Sequence, residues 1–141
     1  HDALPIYQER CHQEVRHKLL QLGIRGEELE QVIATLVEEG FLDEGRYARS
    51  FARGKLLNNQ WGRRKIMQLL RQKGISAYNL RQAETELGTA GYEEVLITVL
   101  RKKARGLSKY TGFDLRERLF RYAYQKGFET PLINRVLDKF C

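Results

Sequence analysis

The sequence predicts an all-α protein built from tandem three-helix units that stack side by side into an elongated molecule. Three observations lead to this fold class. Apolar residues recur at intervals of three and four, which is the period of an amphipathic helix, and no segment alternates as an exposed strand would. Glycine follows several of these apolar stripes, where a helix commonly ends in a left-handed residue. The pattern around three of these glycines is repeated along the chain.

Eight apolar stripes predict about eight helices. The stripes begin in order at Val15, Leu29, Tyr47, Ile66, Leu80, Val95, Leu115 and Ile133. The predicted helices lie near residues 7–22, 27–39, 43–58, 61–73, 77–87, 91–105, 114–126 and 130–140. The chemistry of the helix ends agrees with these positions. We expect helices to end at Gly23, Gly40, Gly74 and Gly127, and caps to form at Ser76, at Asp114 with Glu117, and at Thr130 before Pro131.

An internal repeat becomes visible when Gly23, Gly74 and Gly127 are superposed. Six surrounding positions are then apolar in all three copies. The spacing predicts a first unit at residues 7–59, a second at 60–108, and a third, incomplete unit of two helices at 109–141. Residues 1–6 are interpreted as a flexible N-terminal segment, native or added. We expect the core to include Tyr47, Phe51, Ile66, Leu70 and Ile75, which lie on the apolar stripes.

The net charge of +7 is concentrated in one segment, because no acidic residue occurs between Glu44 and Glu84. That interval contains ten cations, at Arg46, Arg49, Arg53, Lys55, Arg63, Arg64, Lys65, Arg71, Lys73 and Arg81. Such asymmetry indicates a polyanionic partner. A solvated basic surface without a ligand is the alternative.

Helical geometry orders these cations. Arg46, Arg49 and Arg53 fall within about 60° of one another, opposite the apolar face of the third helix. The segment from Trp61 to Lys65 begins the fourth helix, where free backbone N–H groups beside cations favour an anion. We expect these two clusters to lie along one edge of the molecule, with Trp61 stacking on a base or packing in the core. A second basic cluster ends the sixth helix, where it also suits the helix dipole. The candidate binding residues are Arg46, Arg49, Arg53, Lys55, Arg63, Arg64, Lys65, Arg71, Lys73, Arg101, Lys102, Lys103 and Arg105.

No catalytic constellation or cofactor site is recognisable, so we do not expect an enzyme. The paired carboxylates sit at predicted helix starts or on polar faces, where the helix dipole accounts for most of them. Cys11 and Cys141 are expected to be reduced thiols, and the histidines lack metal-site spacing. No apolar run approaches the roughly 20 residues that span a bilayer, and the N-terminus does not look like a signal peptide. These features favour a cytoplasmic protein.

Three segments together resemble the bacterial RecX family. They are GFLDEGRYARSF at residues 40–51, WGRRKI at 61–66 followed by LRQKGI at 70–75, and RKK at 101–103. Their order and spacing agree with the family over about residues 7–141. The sequence departs from the family at Glu44, which replaces a second Asp, and at Gln60, where glycine is common. The ninth helix of the family pattern is missing.

The resemblance implies a curved protein that lodges in the groove of the RecA–DNA filament and inhibits RecA ATP hydrolysis and strand exchange. It implies a role in recombination, DNA repair and the SOS response, with RecA and sequence-nonspecific single- and double-stranded DNA as partners of a monomer that contacts no membrane. Two alternatives stay open. One is a helical DNA-binding module that acts without RecA, and the other is a small metal-dependent nuclease.

Overall fold

The computed structural model describes residues 10–140, and in that range every regular element is an α-helix. The prediction of an all-α protein with about eight helices is confirmed over the described residues. The helices are His12–Gln21 (α1), Gly26–Glu38 (α2), Glu44–Asn59 (α3), Arg63–Gln72 (α4), Ala77–Thr89 (α5), Tyr92–Arg105 (α6), Gly112–Gln125 (α7) and Thr130–Phe140 (α8). None of the helices between residues 10 and 140 is long and apolar enough to cross a bilayer.

Most predicted helix ends are confirmed. Gly23, Gly40, Gly74 and Gly127 all have positive φ angles, of 89°, 80°, 78° and 105°. The Ser76 hydroxyl accepts a hydrogen bond from the Asn79 N–H at 3.3 Å and caps α5.

Two predicted helix starts are wrong. The helix predicted from residue 7 begins at His12, after an extended Cys11, while residues 7–9 lie outside the described part of the chain. The capping box at Asp114 does not form, because α7 begins two residues earlier, at Gly112. Asp114 therefore lies inside the first turn, where its carboxylate pairs with Arg118 at 3.1 Å.

The central core runs through α3 to α8, and the contact between α3 and α5 is the most extensive. Phe128, Leu56, Met67 and Leu100 are among its largest fully buried side chains. The core prediction is confirmed for Tyr47, Ile66, Leu70 and Ile75, which are all buried.

Phe51 is only partly buried, so the prediction that it belongs to the core is wrong. Its ring lies at the edge of the buried face of α3. The Lys55 ammonium occupies the solvent side, 5.4 Å from the ring centroid.

The α1–α2 hairpin is attached less extensively than the other helices. Leu29 and Ile33 are buried between its own helices, outside the central core. Contacts that join the hairpin to the rest of the molecule include Cys11, which is fully buried in the central core, and Glu14, which pairs with Lys73 at 3.3 Å. Cys11 is a free thiol whose pKa is raised by burial, while Cys141 lies outside the described residues.

The start of α4 is bonded to the end of α7 through the backbone. The Gly62 N–H donates to the Lys126 carbonyl at 2.7 Å, and the Arg64 N–H donates to the Gly127 carbonyl at 3.0 Å. A Cβ atom at Gly62 would lie 2.3 Å from the carbonyl carbon of Gly127, so only glycine permits this approach. The contact places the segment from Trp61 to Lys65 beside Lys126.

A buried tyrosine reinforces this junction. The Tyr92 hydroxyl accepts a hydrogen bond from the Arg63 N–H at 2.7 Å and donates one to the Glu129 carboxylate. Its ring packs against Phe128, with the two centroids 5.3 Å apart. One side chain of α6 thus ties the start of α4 to the loop before α8.

Candidate functional site

Ammonium groups and aromatic rings alternate along one surface formed by α3, α4 and the loop between them. The Lys73 ammonium lies 5.6 Å from the Phe51 ring centroid, and Lys55 lies 5.4 Å from the same ring. Lys55 is also 4.9 Å from the Trp61 ring, and Lys65 is 4.3 Å from that ring. The order along the surface is therefore Lys73, Phe51, Lys55, Trp61, Lys65.

The alternation continues across the junction between α4 and α7. The Tyr122 ring has the Lys103 ammonium at 4.6 Å and the Lys126 ammonium at 5.6 Å from its centroid. Gln60, next to Trp61 in the chain, lines a pocket of about 200 Å³ together with Lys103 and Tyr122. We call the whole array the cation–aromatic strip, comprising Lys73, Phe51, Lys55, Trp61, Lys65, Lys126, Tyr122 and Lys103.

The positive charge of the strip is largely uncompensated. Within residues 10–140, Lys55, Lys65, Lys103 and Lys126 contact rings and form no ion pair with a carboxylate. Lys73 alone is paired, with Glu14. Partial burial opposes protonation of Lys73, but Tyr47 and Glu14 raise its pKa above the usual value. A row of charged ammonium groups without acidic partners favours an anionic ligand.

A pocket lies at the α1 end of the strip. It encloses about 440 Å³ and is lined by Arg10, Glu14, Tyr47, Ser50, Phe51, Lys55 and Lys73. Its wall combines one ring face with hydroxyl, carboxylate and ammonium groups. Such a mixed lining suits a small planar polar group better than a purely apolar one.

The predicted arginine face of α3 lies on a different side of the helix from the strip. Arg46 and Lys55 are nine residues apart, which corresponds to about 180° around an α-helix. Arg46 donates to the Gly40 carbonyl at 3.0 Å, and Arg53 pairs with Glu86 at 3.3 Å. In the part of the chain that the structure describes, Arg49 makes no ion pair, hydrogen bond or ring contact.

The prediction that Arg63, Arg64 and Lys65 form one cluster on the edge of Arg46, Arg49 and Arg53 is wrong. Successive helical residues point about 100° apart, so the three side chains reach different neighbours. Arg63 pairs with Glu129 and, at 3.8 Å, with Glu84.

The side chains of Arg64 and Lys65 also contact different neighbours. The Arg64 guanidinium lies over the Tyr124 ring, 4.0 Å from its centroid, and bonds the Tyr124 carbonyl. Of these three residues, Lys65 alone belongs to the strip.

The predicted anion site at the start of α4 is also wrong. Its first N–H groups are already used: Arg63 donates to the Tyr92 hydroxyl and Arg64 to the Gly127 carbonyl. Trp61 is partly buried and packs against the core, and the ammonium groups of Lys55 and Lys65 lie over its ring, while stacking on a base stays a prediction.

The second basic cluster is divided in the same way. Lys103 lies in the strip, and Arg101 lies 5.8 Å from the Phe140 ring. Over residues 10–140, the side chains of Lys102, Arg105 and Arg71 are exposed and have no ion pair, hydrogen bond or ring contact.

Tyr122 and Lys126 were not predicted as site residues. Their spacing of four residues on one helix was a usable signal, because such residues lie on the same face. Their position beside Gln60 and Gly62 had no local signal, because it depends on the backbone contact between Gly62 and Gly127.

Two RecX family models match the chain. The model of the second three-helix domain matches residues 43–83, and that of the third three-helix domain matches residues 91–137. These ranges begin with α3 and α6, one helix earlier than the units predicted at 60–108 and 109–141. A repeat of constant period can be divided at either phase, so the predicted division stays a prediction.

Individual proteins agree with the family models. The chain is 31% identical over 127 residues to the regulatory protein RecX of Pseudomonas fluorescens (strain SBW25), covering 89% of this chain and 79% of that protein. It is also 31% identical to the regulatory protein RecX of Lactococcus lactis subsp. cremoris (strain SK11), covering 94% of this chain but only half the length of that relative.

Solved structures show the same fold. The crystal structure of RecX from Lactobacillus salivarius aligns with a TM-score of 0.82 at 24% identity, over 94% of this chain and 86% of that chain. A further crystal structure of regulatory protein RecX aligns with a TM-score of 0.81 at 23% identity, over 95% of this chain and 66% of that one. Together with the two domain matches and the relative from Pseudomonas fluorescens, these alignments show that the chain belongs to the RecX family of regulatory proteins.

Proposed function

We propose that this protein is a cytoplasmic, non-enzymatic regulator of RecA, mainly an inhibitor, which binds the RecA–DNA filament as a monomer. Binding modulates filament assembly, ATP hydrolysis and strand exchange. The observation that carries the proposal is the match of two consecutive RecX domains, in order, to residues 43–83 and 91–137. The cation–aromatic strip supports it, because a filament groove presents DNA phosphates and acidic protein side chains, and both attract ammonium groups.

A second candidate is a helical module that binds DNA without regard to sequence and acts independently of RecA. The uncompensated lysines favour it, since Lys55, Lys65, Lys103 and Lys126 need no protein partner to attract phosphates. Lysine contacts to phosphates carry no sequence information. The affinity of such a module falls with salt, with a log–log slope of about 0.7 per contacted phosphate on single strands.

The test is RecA ATP hydrolysis on single-stranded DNA with this protein titrated in. We expect hydrolysis to fall as the protein is added, at a DNA concentration where this protein alone occupies little of the strand. Unchanged hydrolysis under those conditions, with DNA binding retained, would exclude RecA regulation and leave the second candidate.

Charge variants locate the contact. All thirteen predicted cations remain candidates, and three that have no carboxylate partner among the described residues, Lys55, Lys65 and Lys103, lie in the strip beside aromatic rings. We expect Lys55→Gln with Lys65→Gln to weaken inhibition several-fold. The comparison variant carries Arg46→Ala, Arg49→Ala and Arg53→Ala.

The two variants should keep nearly the same thermal midpoint, because exposed charges contribute only about 0–1 kcal/mol each to stability. Loss of inhibition in the arginine variant alone would place the contact on the opposite side of α3. Full inhibition by both variants would move it to Lys102, Lys103 and Arg105.

A further inference from the structure

We propose that the cation–aromatic strip is a stacking platform that selects unpaired bases, so that the protein binds single-stranded DNA in preference to duplex. Phe51 and Trp61 provide the ring faces, and the lysines between them hold the flanking phosphates. The inference rests on the proposed function, because it takes DNA as a partner. It adds that the strip recognises unpaired bases. Recognition of this kind tolerates any sequence, because every base has a flat face.

The first argument is the position of the rings. Phe51 and Trp61 are partly buried and pack against the central core, which holds them in place, while one side of each remains open to an ammonium group. A ring that is fixed by its own packing loses little further freedom when a base stacks on it. Freely exposed rings such as Phe113, which is 77% exposed, lack this support.

The second argument compares two ligands of the same ring face. An ammonium over an exposed ring strengthens an equilibrium by only about 2- to 5-fold. Stacking of a base on an aromatic side chain is worth about 5- to 150-fold per base. A base therefore displaces the ammonium from the ring. Lys55 and Lys65, which have no carboxylate partner among the described residues, are then free to contact the phosphates on either side.

The third argument is the pocket beside Phe51. Its volume of about 440 Å³ can hold one base against the ring. Ser50, Tyr47 and Glu14 offer hydroxyl and carboxylate groups to the edge of that base, and Lys73 offers an ammonium. A base can enter only after it has left the stack of a duplex, which makes the pocket selective for unpaired strands. Beyond Trp61 the strip continues to Tyr122, where Lys103 and Lys126 repeat the arrangement.

Trp61 makes the experiment direct, because it is the one tryptophan in the sequence and its fluorescence reports on the strip itself. The protein is titrated with three ligands of equal length: an oligothymidine strand, an abasic strand with the same phosphates, and a duplex. We expect the oligothymidine strand to change the emission of Trp61 and to bind at least 10-fold more tightly than the other two. Equal affinity for the abasic strand would overturn the proposal, because it would show that charge alone drives binding. Preference for the duplex would overturn it as well.

Two variants test the role of the ring while Trp61 remains as the reporter. Phe51→Leu keeps an apolar side chain at the edge of the core but removes the stacking face. We expect it to weaken binding of the oligothymidine strand about 10-fold and to leave binding of the abasic strand unchanged. The matched control is Phe113→Leu, which removes a ring that carries no ammonium, and we expect it to change neither affinity. An equal loss in both variants, or none with Phe51→Leu, would contradict the assignment.

The comparison of strands uses the unmodified protein, so it decides the proposal even if Phe51→Leu does not fold. It also contains no RecA, which separates it from the test of RecA regulation. Base-independent binding together with inhibited RecA ATP hydrolysis would refute the stacking platform and leave the regulator intact. Base-dependent binding without an effect on RecA ATP hydrolysis would refute the RecA regulator and leave the stacking platform intact.

Discussion

Tyr92 is the residue at which the joining of the repeats can be tested most sharply. Its hydroxyl accepts a hydrogen bond from the Arg63 N–H at 2.7 Å and donates one to the Glu129 carboxylate. The side chain is 7% exposed and packs against Phe128. Tyr92→Phe removes one oxygen atom and keeps the ring contact, so the change isolates the two hydrogen bonds.

The expected loss of stability follows from those two bonds. A hydrogen bond to a charged group contributes about 1.5–3 kcal/mol, and a buried donor left without a partner costs about 1–3 kcal/mol. Since the Arg63 N–H and Glu129 are only partly buried, we expect the free energy of unfolding to fall by about 2–4 kcal/mol. Unfolding entropy of about 2.1 cal/mol/K per residue converts this into a drop of roughly 10 °C in the thermal midpoint.

Thermal unfolding followed by circular dichroism measures this drop, and its dependence on pH provides a second readout. Burial is the largest influence and raises the pKa of Tyr92; the hydrogen bond from the Arg63 N–H lowers it, and the Glu129 carboxylate raises it again, so the pKa lies above its usual value. The folded protein therefore holds the phenolic proton more tightly than the unfolded chain does. The stability from this group is fully present below the unfolded pKa of about 10 and is lost as the pH rises above it.

The variant should lack that alkaline loss, so the difference between the two proteins should narrow above about pH 10. A midpoint for Tyr92→Phe within about 2 °C of the unmodified protein at pH 7 would refute the assigned hydrogen bonds. An unchanged gap between the two proteins above about pH 10 would refute the assigned pKa shift.

Two further predictions concern the same framework. Gly127→Ala should lower the free energy of unfolding in urea by about 2–4 kcal/mol, because φ is +105° and the new Cβ would lie 2.6 Å from the Cβ of Lys65. Gly88→Ala, in open space within α5, should instead raise it by about 0.5–1 kcal/mol, and equal effects of the two changes would contradict this reasoning. Glu44→Gln should lower the free energy of unfolding by about 1 kcal/mol at pH 7 and have little effect on it near pH 3. Partial burial opposes ionisation of Glu44, but hydrogen bonds from Asn79 and Ser76 bring its pKa below the usual value. The stability that Glu44 contributes is therefore lost as the pH falls. A stability difference between Glu44→Gln and the unmodified protein that stays constant from pH 3 to pH 7 would argue against this.

The parts of the fold that could be predicted from the sequence are those determined within one or two turns of chain. The apolar stripes located eight helices between residues 10 and 140, and the glycines at 23, 40, 74 and 127 marked helix ends because a left-handed residue is needed there. Phe51 was assigned to the core because it lies on an apolar stripe. Its actual position depends on where the stripe meets solvent, which is determined by the packing of α3 against α5.

The sequence predicted most of the residues of the candidate site but not how they are arranged in space. The basic segment, Trp61 and the cluster around Lys103 were all recognised from the sequence. The sequence did not show which of these cations belong to the strip and which pair elsewhere. Arg63 and Lys65, for example, differ in the direction in which each side chain points from α4. The contact that brings Tyr122 to the pocket lined by Gln60 depends on two glycines 65 residues apart, Gly62 and Gly127, and nothing local to either indicates it.

The chemistry of arginine and lysine agrees with part of this division, although Arg49 and Arg71 have no side-chain partner among the described residues and Lys73 pairs with Glu14. Arg53 and Arg63 form ion pairs with carboxylates, and Arg64 bonds a carbonyl while lying on a ring, as expected for a planar guanidinium with several donors. Lys55 and Lys65 contact rings without an acidic partner among the described residues. An ammonium gains less from such contacts and stays strongly hydrated, so its charge remains available to a ligand.

It follows that the long interval without acidic residues overstates the binding surface. Carboxylates from outside the interval, on Glu86 and Glu129, fold back and neutralise part of it. Part of the remaining charge lies on the side of α3 that carries Lys55, next to aromatic rings. We therefore expect a polyanion attracted by the basic segment to bind at the strip, where the rings of Phe51 and Trp61 are also located.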